Sequence, residues 1–339
     1  MMMRDHLHFS GQRWSQALLT SSALLCASPA LAQTINWTGN VIPVPAGPPQ
    51  PSPWNVGVNL TVGDTANGTM AISGGGVVSN IQGLIGGAAS GTGSVLVTGP
   101  GSQWNNSDIL FVGYDGSGTL EIIAGGVVSS TQGQIGRNAG SNSSALVTSA
   151  GSQWNMSQSL FVGVLGGSTG TLTISGGGVV SSLQGQIGYA AGSTGSVLVS
   201  GPGSQWNNMN DNLDIGEGGN GTLKVTAGGI VSSGFLFVGK LGNSSGTLEI
   251  TAGGGVSSTQ GQIGRDAGST GSVLVSGSGS QWNMSDELFV GIYGGSTGAL
   301  AIANAGVVSN TNSTIGYAAG GIGTVTVDGS DHSGITPAR

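Results

Sequence analysis

Gly170-Thr-Leu-Thr-Ile-Ser-Gly-Gly-Gly-Val-Val-Ser-Ser182, closed five residues on by Ile187-Gly188, is the stretch that decides the fold. Leu172 and Ile174 flank a polar Thr173, the period-two alternation of a half-buried strand. Glycines 176–178 break that run, Val179 to Ser181 form a second, and Gln186-Ile187 a third. Working outward, the same order restarts at Gly68, Gly93, Gly118, Ser143, Gly170, Gly195, Gly221, Gly246, Gly271, Gly298 and Gly323, in steps of 25 to 27 residues. An Ile-Gly or Val-Gly pair keeps step with it, its glycine falling at 63, 86, 113, 136, 163, 188, 216, 239, 264, 291 and 316. Eleven copies in constant phase define one structural unit, and a period in this range is the mark of a solenoid or array.

Two kinds of unit mostly alternate. The second reads Gly195-Ser-Val-Leu-Val-Ser-Gly-Pro-Gly-Ser-Gln-Trp-Asn207, and Trp104, Trp154, Trp206 and Trp282 mark its copies. The tryptophan spacing of 50 and 52 widens to 76 where two units of the first kind, from Gly221 and Gly246, adjoin, so the single unit and not the pair is the building block. Strands this short bury little alone, and stacking each on its copy one turn away supplies both hydrogen bonds and a dry interior. The reading is an all-β, right-handed parallel β-helix of about eleven coils of roughly 25 residues. A β-propeller with two units per blade is the rival, and the unpaired unit at Gly246 leaves it half a blade. Glu121, Lys224 and Glu249 share the outward position of the first strand, where charge meets water.

Composition agrees with this reading. Glycine accounts for 68 of 339 residues, against a usual share of about 7%, while 37% of residues are apolar and only 6% charged. Low charge with ordered apolar residues is the reverse of a disordered chain. The net charge is -7 and forms no basic stripe, which argues against nucleic acid as a partner.

Residues 1–32 read as a signal peptide: Arg4 and Arg13 precede an apolar run from Ala17 to Ala27, and Ala30-Leu31-Ala32 offers a small-x-small cleavage site. The run is too short to span a bilayer, which takes about 20 residues. Cys26, the only cysteine, lies in this leader, so the exported chain has no disulfide framework. Residues 33–56, carrying Pro43, Pro45, Pro48, Pro49, Pro51 and Pro53, read as a stiff linker or partial N-terminal cap. The repeat domain then runs over 57–327, and 328–339 is an irregular tail.

The combined pattern at Gly170 to Ser182, Ile187-Gly188, Gly195 to Asn207 and Leu288 to Gly291 resembles the repeat of type V secretion (autotransporter) passengers and PEP-CTERM-associated proteins. The resemblance covers about residues 57 to 327. It implies an exported, adhesin-like array at the surface of a Gram-negative bacterium or released from it, with host-cell, matrix or polysaccharide surfaces as candidate partners. It also implies a C-terminal translocator barrel in a full-length relative; here Pro337-Ala338-Arg339 follows closely on a repeat strand, which points to a truncated passenger.

Motifs for chemistry are fragmentary, and no catalytic, cofactor-binding or metal-ligating residue is assigned. Gly234-Phe-Leu-Phe-Val-Gly239-Lys240 starts like a phosphate loop, but Leu241 stands where magnesium binding needs Ser or Thr. Gly166 to Gly170 and Gly294 to Gly298 spell a hydrolase elbow without its strand-to-helix setting. His332, beside Asp331 and Ser333, is the one histidine beyond the leader. Asp211, Asp214 and Glu217 form the densest acidic group, ahead of Asp286 with Glu287, and read as a solvated turn with too few fixed oxygens for calcium. The tryptophans read as packing residues rather than exposed sugar platforms. The function expected is therefore a non-enzymatic surface array, with a carbohydrate-active β-helix (polysaccharide binding or lyase) or an inert extracellular matrix component as alternatives.

Overall fold

The computed structural model describes residues 33–209 and 211–329. Every regular element among them is a strand, and the strands stack into a parallel β-solenoid of about eleven turns. Three sheets of twelve, twelve and eleven strands run its length. The long face is built of seven-residue strands such as Thr169–Ser175 and Thr194–Ser200. The tryptophan face holds Val179–Ser182 and Gln205–Asn208, and the closing face holds Gln184–Ile187 and Leu213–Ile215. A coil visits the three in that order.

Stacking is in register, like over like. Gly170 pairs with Gly195, Leu172 with Val197 and Ile174 with Val199; one coil further on, Leu223 and Val225 continue both columns. These aliphatics are fully buried, while Thr173 and its counterparts point outward. Lys224 and Glu249 meet on the outer side of the long face at 3.2 Å, an exposed pair that contributes little. The Ile-Gly landmark has a geometric cause: Gly188 turns the chain at φ +67°, and a Cβ there would sit 2.3 Å from the Asn220 carbonyl oxygen of the coil above.

All four repeat tryptophans are wholly buried, stacked between valines in a column running Val128, Trp154, Val180, Trp206. The indoles find room because the closing strand one coil below carries glycine. A Cβ on Gly83, Gly133, Gly185 or Gly261 would lie 2.6 to 2.8 Å from the ring of Trp104, Trp154, Trp206 or Trp282 respectively. Where the coil above brings valine instead, that column holds leucine, as with Leu236 beneath the coil of Val256. Each indole N–H also donates to the coil below, to Asn80 Oδ1, Ser130 Oγ, Ser182 Oγ and Ser258 Oγ at 2.6 to 3.4 Å.

The proline-rich segment ends in pairing strands. Thr34–Gly39 runs antiparallel to Asn67–Ser73, Val41–Ile42 antiparallel to Leu60–Val62, and Trp54–Asn55 parallel to Val78-Ser79. The six prolines fall between Ile42 and Trp54, so none removes a donor from these ladders. Ile35 and Val41 close the core at this end. Among the described residues no helix is long and apolar enough to cross a membrane.

Candidate functional site

The closing face differs from the other two in what it turns outward. Its middle strand position reads, coil by coil, Phe111, Gln134, Phe161, Gln186, Asp214, Phe237, Gln262, Phe289, each paired in register with the next. The residue after each turn glycine forms a parallel row, which includes Tyr114, Arg137, Tyr189, Glu217, Lys240, Arg265 and Tyr317. Every described phenylalanine and tyrosine belongs to this face or its margin, as do three of the four described basic residues. The face carries a strip, or trough, in which phenyl rings and amides largely alternate, with Phe111 and Phe237 buried beneath the neighbouring cations and Phe161 and Phe289 less covered.

Aromatic and cationic groups pack on one another here. Arg137 lies over Tyr114 at 4.6 Å and over Phe111 at 5.5 Å, and Lys240 and Arg265 lie over Phe237 at 5.0 and 5.5 Å. Phe161 meets Tyr189 edge to face, as Phe289 meets Tyr317. Tyr189, Tyr293 and Tyr317 remain 38%, 45% and 62% exposed, so these side chains reach solvent. Between Gln260 and Tyr317 the trough widens into a cavity of about 410 Å³ lined by Gln262, Arg265, Glu287 and Phe289. Amide and carboxylate side chains bordering the floor bond from coil to coil, as Gln184 does to Asp211 and Gln260 to Glu287.

The acidic group takes up a special place in this trough. Asp211 is partly exposed, but Asp214 is 1% exposed, and this departs from the solvated turn expected for it. It occupies the floor position that Phe111 and Phe161 hold in sister coils, so its neighbours cover it. Lys240 Nζ answers it at 2.8 Å and reaches Glu217 at 3.5 Å. Burial pushes the Asp214 carboxyl up from its ordinary range, against the pull of Lys240. Glu217 is also raised, by burial first and by the nearby Asp214 charge second. Asp214 Oδ1 and Glu217 Oε2 have no hydrogen-bond partner. Asp286 is exposed and Glu287 borders the cavity. No cluster of three or more metal-ligating side chains occurs among the described residues.

The other sequence fragments find ordinary places. Phe235–Val238 is a closing strand, and the Lys240 that follows is engaged by carboxylates rather than facing a phosphate cradle. Ser168 is buried and accepts the Val164 N–H at 3.0 Å, and Ser296 is wholly buried, so neither elbow presents a nucleophile. His332 lies outside the described residues. The aromatic floor is hidden in the sequence because a lone Phe in a Leu-Phe-Val strand gives no sign of which way it points. A longer internal repeat carries that signal. Ser130-Thr-Gln-Gly-Gln-Ile-Gly-Arg137 recurs 128 residues on as Ser258 to Arg265, and Ile187-Gly-Tyr-Ala-Ala-Gly192 as Ile315 to Gly320.

Fold and trough together define a class, the parallel β-solenoid with an aromatic and amide strip along one face. The chain matches no family model, no curated protein and no solved structure.

Proposed function

We propose that this chain is a non-enzymatic, exported repeat protein of the autotransporter-passenger kind, held at or beyond the surface of a Gram-negative cell, where it acts as an adhesin. The N-terminal leader pattern and the repeat signature support export and surface display. The observation that carries the binding role is the sorting of side chains: phenylalanine, tyrosine and most of the basic residues gather on the closing face, while the long face is largely Thr, Ser and aliphatic. A strip of this kind suits many weak contacts made together rather than one enclosed reaction.

The test has two arms. Protease shaving of intact cells is expected to remove the chain, and beads coated with purified protein are expected to adhere to host cells or matrix more than albumin-coated beads do. A chain that stays protected inside the cell, or coated beads that adhere no better than controls, would overturn the reading.

A further inference from the structure

The trough carries much of one arrangement twice, the second copy bringing Glu287 and Tyr293 where the first has Ser159 and Leu165. In one array Arg137 covers Phe111, Gln134 follows on the floor, and Phe161 with Tyr189 forms an uncovered aromatic corner. Five coils later Arg265 covers Phe237, Gln262 follows, and Phe289 with Tyr317 forms the corner. Val164 and Ile292 match as well, both buried behind the corner. Asp214, tied to Lys240, separates the two arrays.

We infer that these are two related subsites for one extended, neutral, β-linked hexose polysaccharide lying along the solenoid axis; the inference rests on the surface-adhesin reading and gives it a ligand class. Coils are spaced about 4.8 Å apart, close to the advance of one ring in an extended β-1,4-linked chain. Phe111 and Phe237 are buried beneath their cations, so each array offers one open aromatic corner, Phe161 with Tyr189 or Phe289 with Tyr317, next to the glutamine of the coil before. An all-equatorial hexose ring carries C–H groups on both faces, so corners an odd number of coils apart can each take one. Aromatic faces take the C–H side of a sugar ring, and amides bond the hydroxyls of its neighbour. The charge balance of this face does not favour a polyanion. Lys240 is met by Asp214 and Glu217, Arg265 by Asp266 at 3.6 Å, and Glu287 lines the second subsite, which leaves Arg137, bonded to the neutral Asn138 at 3.2 Å, against several carboxylates. The corners lie on one face five coils apart, about 24 Å, a span that a polymer running along the axis can bridge.

Affinity electrophoresis of the purified chain through hydroxyethylcellulose tests this, with dextran and polygalacturonate gels run beside it. Retardation is expected in hydroxyethylcellulose alone. Calorimetry with cellotriose, too short to bridge five coils, is expected to give two sites per chain, one after Tyr189→Ala, one after Tyr317→Ala and none after both. Either single substitution is expected to weaken binding to the polymer by about 100-fold, because engagement of two linked sites is lost. Both tyrosines are exposed, so an unchanged circular dichroism spectrum and melting temperature confirm a folded variant. A folded wild-type chain that hydroxyethylcellulose does not retard, or prefers polygalacturonate, overturns the inference, as does equal retardation of the double variant. If polymer binding fails while beads still adhere to cells, the ligand class is wrong and the adhesin stands. Polymer binding without surface display upholds the ligand class and removes the adhesin.

Discussion

Gly133 and Trp154 show how much one side chain's absence can matter. The glycine exists to make room for the indole one coil above, and the chain elsewhere uses the alternative, Leu236 beneath Val256. Gly133→Leu is therefore expected to unfold the middle of the solenoid, since even a single extra carbon overpacks at about 1–3 kcal/mol. Adding Trp154→Val with Met156→Ser should recover most of the loss by recreating the arrangement of Leu213 beneath Val231 and Ser233, since Met156 Sδ crowds the same space as the indole; thermal melts of the two variants check this. Lys240 supports a second prediction. Lys240→Met leaves Asp214 buried without its cation, at a cost of about 3 kcal/mol at neutral pH. Both carboxyls already titrate above their ordinary range, so the folded chain holds those protons more tightly than the unfolded one. Their contribution is favourable at low pH and is lost as pH rises through the raised values. The melting deficit of Lys240→Met should accordingly shrink between pH 7 and pH 4, and a pH-independent deficit would show that charge burial is not its cause.

At the scale of the strand, the N-terminal segment covers an edge that every parallel stack leaves open. Thr34–Gly39 and Val41–Ile42 satisfy the first coil by running against it. Removing residues 33–56 exposes the hydrogen-bonding groups of Asn67–Ser73 and Leu60–Val62 and uncovers the core beneath Ile35 and Val41. The shortened chain is expected to associate end to end, which light scattering would read as concentration-dependent growth, while the intact chain does not grow. Most coil strands were legible in the sequence. Leu172 and Ile174 alternate with Thr173, and the glycine landmarks fix the turns. The cap was less legible because prolines mask the short pairing runs on either side of them. The trough was least legible: whether Phe111 or Gln134 faces out depends on the register of the whole stack, and the recurrence at 128 residues is hidden beneath the stronger 25-residue beat. Asp214 gave no local sign of burial, since its cover comes from coils before and after it.

The whole molecule behaves as a one-dimensional stack, in which each coil interacts chiefly with its two neighbours. Two deletions separate coil chemistry from coil number. Loss of residues 170–194 would set Trp206 above Leu160 in place of Gly185, whereas loss of residues 170–220 would set Val231 above Leu160, much as it now sits above Leu213. The first variant is expected to melt well below the second, although it has lost fewer residues.

The glycine beneath each indole thus has a bearing on how such a gene can change in length. Unequal crossing-over that drops or adds an even number of modules leaves a foldable product, while an odd step is rejected by sterics unless it falls at a seam like the one near Gly221. Variants of this rod should then come in lengths that skip every other rung, with the exceptions marked by leucine standing where glycine would be.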